Sequence, residues 1–103
     1  MNHYDLTEEA AEDIRKIVRY TLQTWGVDQV ERYRQALKSC LDQLAQAPAL
    51  GRAVSTTSPE VRLFPCQHHY FFYLSEGRVR PLVIAVLHRR QDFHARLEGR
   101  LDF

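Results

Sequence analysis

Six apolar residues in a row, Leu82-Val-Ile-Ala-Val-Leu87, stop abruptly at His88-Arg89-Arg90, with Asp92 close behind. The run is too short to cross a bilayer, and its composition favours strand over helix. It reads as the buried central strand of a sheet. A buried strand that ends in a histidine, two arginines and a carboxylate delivers charge to the rim of that sheet. Rims of this kind bind anions, assist proton transfer or dock a partner.

The rest of the chain supplies what such a strand must pack against. Thr7 offers an N-cap, with Glu8 and Glu9 in the first turn, where the helix dipole favours carboxylates. Ala10, Ile14, Ile17, Val18, Thr21 and Trp25 then recur on one helical face, which puts Trp25 in the core. Gly26 stops this helix and Asp28, with Glu31 three residues on, restarts another as a capping-box pair. Val30, Tyr33, Leu37, Cys40, Leu41 and Leu44 form the second buried stripe, which ends before Pro48. Two helices joined so tightly form an antiparallel αα-hairpin. After a polar turn over residues 55–59 come a short strand at 61–64, an aromatic strand at 69–74, a turn at 75–78 and the apolar strand opened by Pro81. The tail from Phe93 suits a short helix. The expected fold is one α+β domain over residues 1–103 in the order β-α-α-β-β-β, two layers deep.

At 103 residues there is room for a single modest core. Met1-Asn-His-Tyr-Asp leads into a polar helix with no apolar stretch of the kind a secretory leader needs, so a cytoplasmic site is expected and no membrane association. Cys40 and Cys66 lack metal-ligand spacing, and Cys40 lies on an apolar helix face; a reduced, buried thiol is expected, with no metal and no cofactor. The formal charge of +1 conceals an asymmetry. Residues 1–47 hold eight acids and six bases, whereas residues 48–103 hold five acids and eight bases, every one an arginine. Arginine forks suit polar interfaces, but the bias is too weak for a nucleic-acid binder, so no sequence-specific nucleic-acid binding is expected.

Tyr4-Asp-Leu-Thr7, Ile17-Val-Arg-Tyr20 with Trp25-Gly26, Pro48-Ala-Leu-Gly51-Arg52, Val61-Arg62, His69-Tyr-Phe-Phe-Tyr73 and Val86-Leu-His88 with Asp92 follow one another over most of the chain. In this order and spacing the sequence resembles the ParE-type toxins of the RelE/ParE superfamily, the toxin half of bacterial type II toxin–antitoxin modules. It departs from many relatives at Ala85, where they carry arginine, and at Gln91, where they carry methionine. The resemblance implies a toxin that inhibits DNA gyrase without catalysis and is neutralised by a ParD-like antitoxin, acidic, helical and partly disordered when free. Antitoxin contacts are expected at Tyr20, Arg52, Tyr73 and Arg78. Target contacts are expected on the rim, at Arg62, His69, His88, Arg89, Arg90 and Asp92.

The RelE branch of the same superfamily instead cleaves messenger RNA. Such a cut needs a proton acceptor, a proton donor and cations around the phosphorane. His69 and His88 could carry protons and Arg62, Arg52 or Arg89 the charge, so a nuclease using His69, His88 and Arg62 is the alternative reading. Against it, the chain has no lysine after Lys38 and places Asp92 and Asp102 nearby. Each residue also has a purely structural role available. His69 would hydrogen-bond a carbonyl beneath Tyr73, His88 would pair with Asp92, and Arg62 with Glu60 or Asp92. Tyr20, Trp25 and Tyr33 would pack.

Overall fold

A computed structural model describes residues 3–54 and 60–101. The polar turn expected at 55–59 and Asp102 lie outside them. The elements run β1 (Asp5–Leu6), α1 (Glu8–Trp25), α2 (Val27–Gln46), β2 (Arg52–Ala53), β3 (Arg62–Cys66), β4 (His69–Leu74), β5 (Leu82–His88) and α3 (Phe93–Arg100). They form an α+β fold whose five strands are ordered β1-β5-β4-β3-β2, antiparallel except for the β1–β5 pair. The apolar run is therefore interior to the sheet, as its composition requires.

Thr7 caps α1 by accepting from the Ala10 amide. Gly26 alone joins the helices: its φ of 89° is open to glycine and strained for other residues, and its amide closes α1 on the Leu22 carbonyl. The Asp28–Glu31 capping box is absent, because α2 already starts at Val27 with Gly26 as an N-cap that makes no side-chain bond. The hairpin lays Ala10, Leu37, Leu41 and Leu44 on Phe64, Phe71, Tyr73, Val83 and Val86 of the sheet. The opposite sheet face is not bare, as a two-layer fold would leave it. It carries a second cluster of Val61, Leu63, Phe72, Ile84, Ala85 and Leu87, covered by Leu97, Phe93 and Leu101. Ala85 is fully buried there, and Gln91 accepts from the His88 amide.

Two features fix β5. Its register against β4 slips between Phe72 and Tyr73, so that Phe72 faces Ala85 while Tyr73 faces Val83, and Ile84 is the extra residue of a bulge. Ile84 and Ala85 consequently lie in the same cluster, and every residue after them has exchanged faces. Beyond β1, the outer edge of β5 is satisfied by side chains: Asp13 accepts from the Val86 amide, and Arg100 donates to the Ile84 carbonyl. Asp13 and Arg100 also pair with each other, one contact at 3.0 Å, which ties α3 to α1 and holds the Arg100 guanidinium above its ordinary pKa.

Cys40 and Cys66 form a disulfide, contrary to the expectation of free thiols. The reason is positional. Cys66 ends β3 on the face that α2 covers, with the Cα atoms 6.1 Å apart.

Candidate functional site

The bulge at Ile84 determines the character of one end of the sheet. By restoring alternation after Ala85 it places Val86 and then His88 on the hairpin side. His88 pairs across the ladder with His69, their rings 5.3 Å apart and edge to face. Between β3 and β4 the chain turns on Gln67 and His68 alone, with Gln67 at φ 57°, a strained value for a residue other than glycine. The His68 ring lies parallel to that of His88 at 6.5 Å, and its carbonyl accepts from the Arg89 amide at 3.1 Å. Three imidazoles thus converge at the strand ends.

They do not act as equals. The Tyr33 hydroxyl of α2 hydrogen-bonds His69 Nδ1. Burial, reinforced by the neighbouring His88 and His68, lowers the His69 pKa to about 4. Burial likewise raises the Tyr33 pKa. At neutral pH both groups are uncharged, and His69 Nδ1 is occupied. The structural partner of His69 is thus a phenol from the helical layer, in place of the expected carbonyl.

A groove of about 580 Å³ opens beside these rings, walled by Ile17, Tyr20, Thr21 and Trp25 of α1, with Lys16, Gln29 and Tyr33 at its margin and Gln67 and the three histidines opposite. Trp25 is 68% exposed and Tyr20 63%. Trp25 was expected in the core; Tyr20 was expected as an antitoxin contact, with packing as its structural alternative. Thr21, one turn earlier, is still buried, whereas the last turn of α1 lines the groove together with Gln67 and His68 of the β3–β4 turn.

The other end of β3 and β4 is closed. Tyr73 has no exposed surface; its hydroxyl donates to the Pro48 carbonyl at 2.7 Å and accepts from the Gly51 amide at 2.9 Å. Arg62 donates to the Gly51 carbonyl at 2.5 Å and pairs with Glu60 at 3.0 Å. Tyr73 therefore pins the 48–51 turn and offers nothing to a partner, which corrects its expected place at an interface. Arg62 faces Tyr73 and Cys66 faces His69, four residues along the same strand. That puts Arg62 about 13 Å from the histidines. His69 and His88 come together, but Arg62 does not join them.

Asp92 does not pair with His88 either; it is the N-cap of α3, accepting from the His94 amide, while His88 Nδ1 accepts from the Arg90 amide. Arg89, Arg90, Arg52 and Arg78 are exposed. Sequence reasoning missed His68, Gln67, Lys16 and the role of Tyr33. The signal present was the doublet His68-His69 at a two-residue turn between strands. Among the described residues, no group of three or more His, Cys, Asp or Glu is placed to hold a metal ion, and no helix is long and apolar enough to cross a membrane.

The chain matches, over residues 4–93, the family model described as the ParE toxin of the type II toxin–antitoxin system parDE. It is 41% identical to Toxin ParE of Escherichia coli over 101 residues, 98% of each chain. It is 34% identical to Toxin ParE1 of Mycobacterium tuberculosis over 91 residues, 88% of this chain and 93% of that one. Toxin ParE1 of Caulobacter vibrioides is 30% identical over 97 residues, covering 94% and 99%. A solved structure described as the chromosomal ParDE TA system from P. aeruginosa shares the fold, with a TM-score of 0.67 over 85% of this chain and 98% of that one at 16% identity.

Proposed function

The chain belongs to the ParE toxin family of type II toxin–antitoxin systems, and from that premise we propose that it inhibits DNA gyrase in the cytoplasm by binding alone. The separation of Arg62 from His69 and His88 carries this reading. The arginine that the nuclease reading pairs with His69 and His88 is held elsewhere, by Glu60 and the Gly51 carbonyl. Among the described residues, the one lysine or arginine lining the groove with the histidines is Lys16, from the helical layer. His69 adds to the case. A base whose pKa lies near 4 and whose Nδ1 is bonded to a phenol is poorly matched to proton transfer at neutral pH.

The surface offered to the target is the end of β5, where His88 is half-buried and Arg89 and Arg90 are exposed. Asp92 contributes by starting α3 immediately behind them. Neutralisation falls to a ParD-like antitoxin, acidic, helical and partly disordered until bound. The exposed Tyr20, Arg52 and Arg78 are its contacts, and Arg52 lies on the short edge strand β2, where an extended segment could add. The relative described as a ParDE system supports this pairing at the level of the fold.

The test adds purified protein to gyrase supercoiling and DNA-cleavage assays, with and without the cognate antitoxin, beside an RNA-cleavage control. Inhibition of gyrase that the antitoxin reverses, with RNA intact, is expected. Replacing His88 and Arg89 by alanine should weaken inhibition about tenfold or more. RNA cleavage with gyrase unaffected overturns the proposal, and an unchanged inhibition curve for the folded double variant refutes the assigned surface.

A further inference from the structure

The groove at the hairpin tip shares His88 with the surface assigned to gyrase and Tyr20 with that assigned to the antitoxin, but its other lining residues belong to neither. Its volume, about 580 Å³, falls within the range of small-molecule sites. Tyr20 and Trp25 both line it, and both leave most of their surface in water. Exposed aromatic walls around a cavity mark a place where apolar contact is still to be made. Its polar lining includes groups able to donate hydrogen bonds, namely the Lys16 ammonium, the imidazoles of His68 and His88, and the side-chain amides of Gln29 and Gln67. Beside them are Thr21, Tyr33 and His69, which already have partners within the chain. None of the groove-lining residues is a carboxylate.

The second groove, about 520 Å³ between α1 and α2, makes the contrast. Its rim has more cations, and three of the four are already paired. Arg15 and Arg19 meet Glu12 at 2.8 and 3.3 Å, and Lys38 meets Asp42 at 3.3 Å. The tip groove has no such internal counter-charge in its lining. Its lip is formed by Gln67 at a backbone angle that few residues other than glycine adopt, and such strain clusters at ligand sites.

We propose that this groove binds a small planar aromatic phosphate of the nucleoside monophosphate class. The base stacks against Trp25 and Tyr20, as single bases do on aromatic side chains. The phosphate accepts from Lys16 Nζ and from the imidazole N–H groups of His68 and His88, a charge-assisted arrangement. The Gln29 amide lies where it can meet a base edge. Trp25 is then a stacking platform, which explains why the chain leaves it in water.

Trp25 is the one tryptophan of the chain, so its fluorescence reports on the site. Titration with adenosine 5′-monophosphate is expected to quench it saturably, with a Kd of about 0.1–1 mM. Adenosine and inorganic phosphate, each lacking half of the recognised chemistry, should bind about tenfold more weakly or worse. Lys16 and His68 are exposed, so a Lys16→Ala/His68→Ala variant keeps its fold, checked by circular dichroism, and loses about tenfold in affinity. Trp25→Ala, followed by calorimetry, should lose binding likewise. No saturable quenching up to about 10 mM, equal affinity for adenosine, or an unchanged affinity in the folded double variant overturns the proposal. So does a 5′-phosphorylated oligonucleotide that binds about tenfold more tightly than the monophosphate, because the site would then belong to a strand end.

Discussion

Each end of the β3–β4 pair is organised around a tyrosine hydroxyl, and the two hydroxyls do opposite things. At one end Tyr73 meets two backbone groups of the 48–51 turn, and Arg62 and Glu60 complete a closed set of partners. At the other end Tyr33 meets a histidine, and beyond that histidine lie two more imidazoles and an open groove. Tyrosine with arginine made a plausible binding surface in the sequence, yet that pair is consumed by the fold. Tyr33 passed for packing, yet with His69 it borders the cavity. Residue type says what chemistry is available. Whether the partners are already present within the chain decides if that chemistry faces outward.

The two ends are also held differently, and the largest expected effect comes from exploiting that. The open end has a covalent link, since Cys66 adjoins the β3–β4 turn and is bonded to Cys40 of α2, 26 residues away. A loop of that length restricts the unfolded chain by about 3.5 kcal/mol. Reduction, or replacement of both cysteines by alanine, should lower the unfolding free energy by about that amount in urea titrations. If the stability is unchanged, the disulfide is not what holds the open end. In a reducing compartment this end would be the first to loosen.

The closed end relies on packing, hydrogen bonds and the Arg62–Glu60 ion pair, with no covalent link among the described residues. A Cβ added at Gly51 would lie 2.5 Å from the Tyr73 hydroxyl and 2.9 Å from the Leu63 carbonyl, and the carbonyl cannot swing away. Gly51→Ala should cost about 3 kcal/mol. Tyr73→Phe strands the Pro48 carbonyl and the Gly51 amide and should cost about 2 kcal/mol. Neither change should alter Trp25 fluorescence in the folded protein, and a clear shift there would show that the two ends are coupled.

These positions also show how much the sequence discloses. The helix capped by Thr7, the stop at Gly26, the aromatic strand 69–74 and the central strand were all legible, because each depends on local signals. Tyr73 was not. Its strand is buried on both faces, so alternation gives no hint of exposure. Trp25 was misread for the converse reason: helical periodicity assigns a face but cannot say where the covering sheet ends. The convergence of His88 with His69 hinges on a one-residue bulge at Ile84, inside a run whose residues are all apolar. Cys66 meets Cys40 only through the docking of α2 on β3. What remained hidden is non-local.

Acid should sharpen the comparison further, because only the open end titrates near neutrality through a shifted group. His69 is neutral in the fold down to about pH 4, whereas in the unfolded chain it takes up a proton near pH 6.5. The unfolded state thus binds more protons between those values, and stability falls as pH drops from about 6.5 towards 4. Partial solvent access limits the loss to about 2 kcal/mol. A His69→Gln variant should flatten the dependence of the urea midpoint over this window. An equally steep dependence in the variant would assign the effect to other groups.

The smallest effect on the fold is expected where the effect on function should be greatest. Arg89 and Arg90 extend past the last ladder pair, exposed, with no role in either core cluster. Replacing both by alanine should move the unfolding free energy by less than about 0.5 kcal/mol, since only their side chains change and the Arg89 amide still reaches His68. If the open end is a docking surface, the same variant should lose gyrase inhibition while its urea transition overlays that of the parent. Loss of both together would mean that the strand end is structural after all. Retention of both would move the docking surface away from β5, leaving the imidazole-lined groove as the open end's remaining distinctive chemistry.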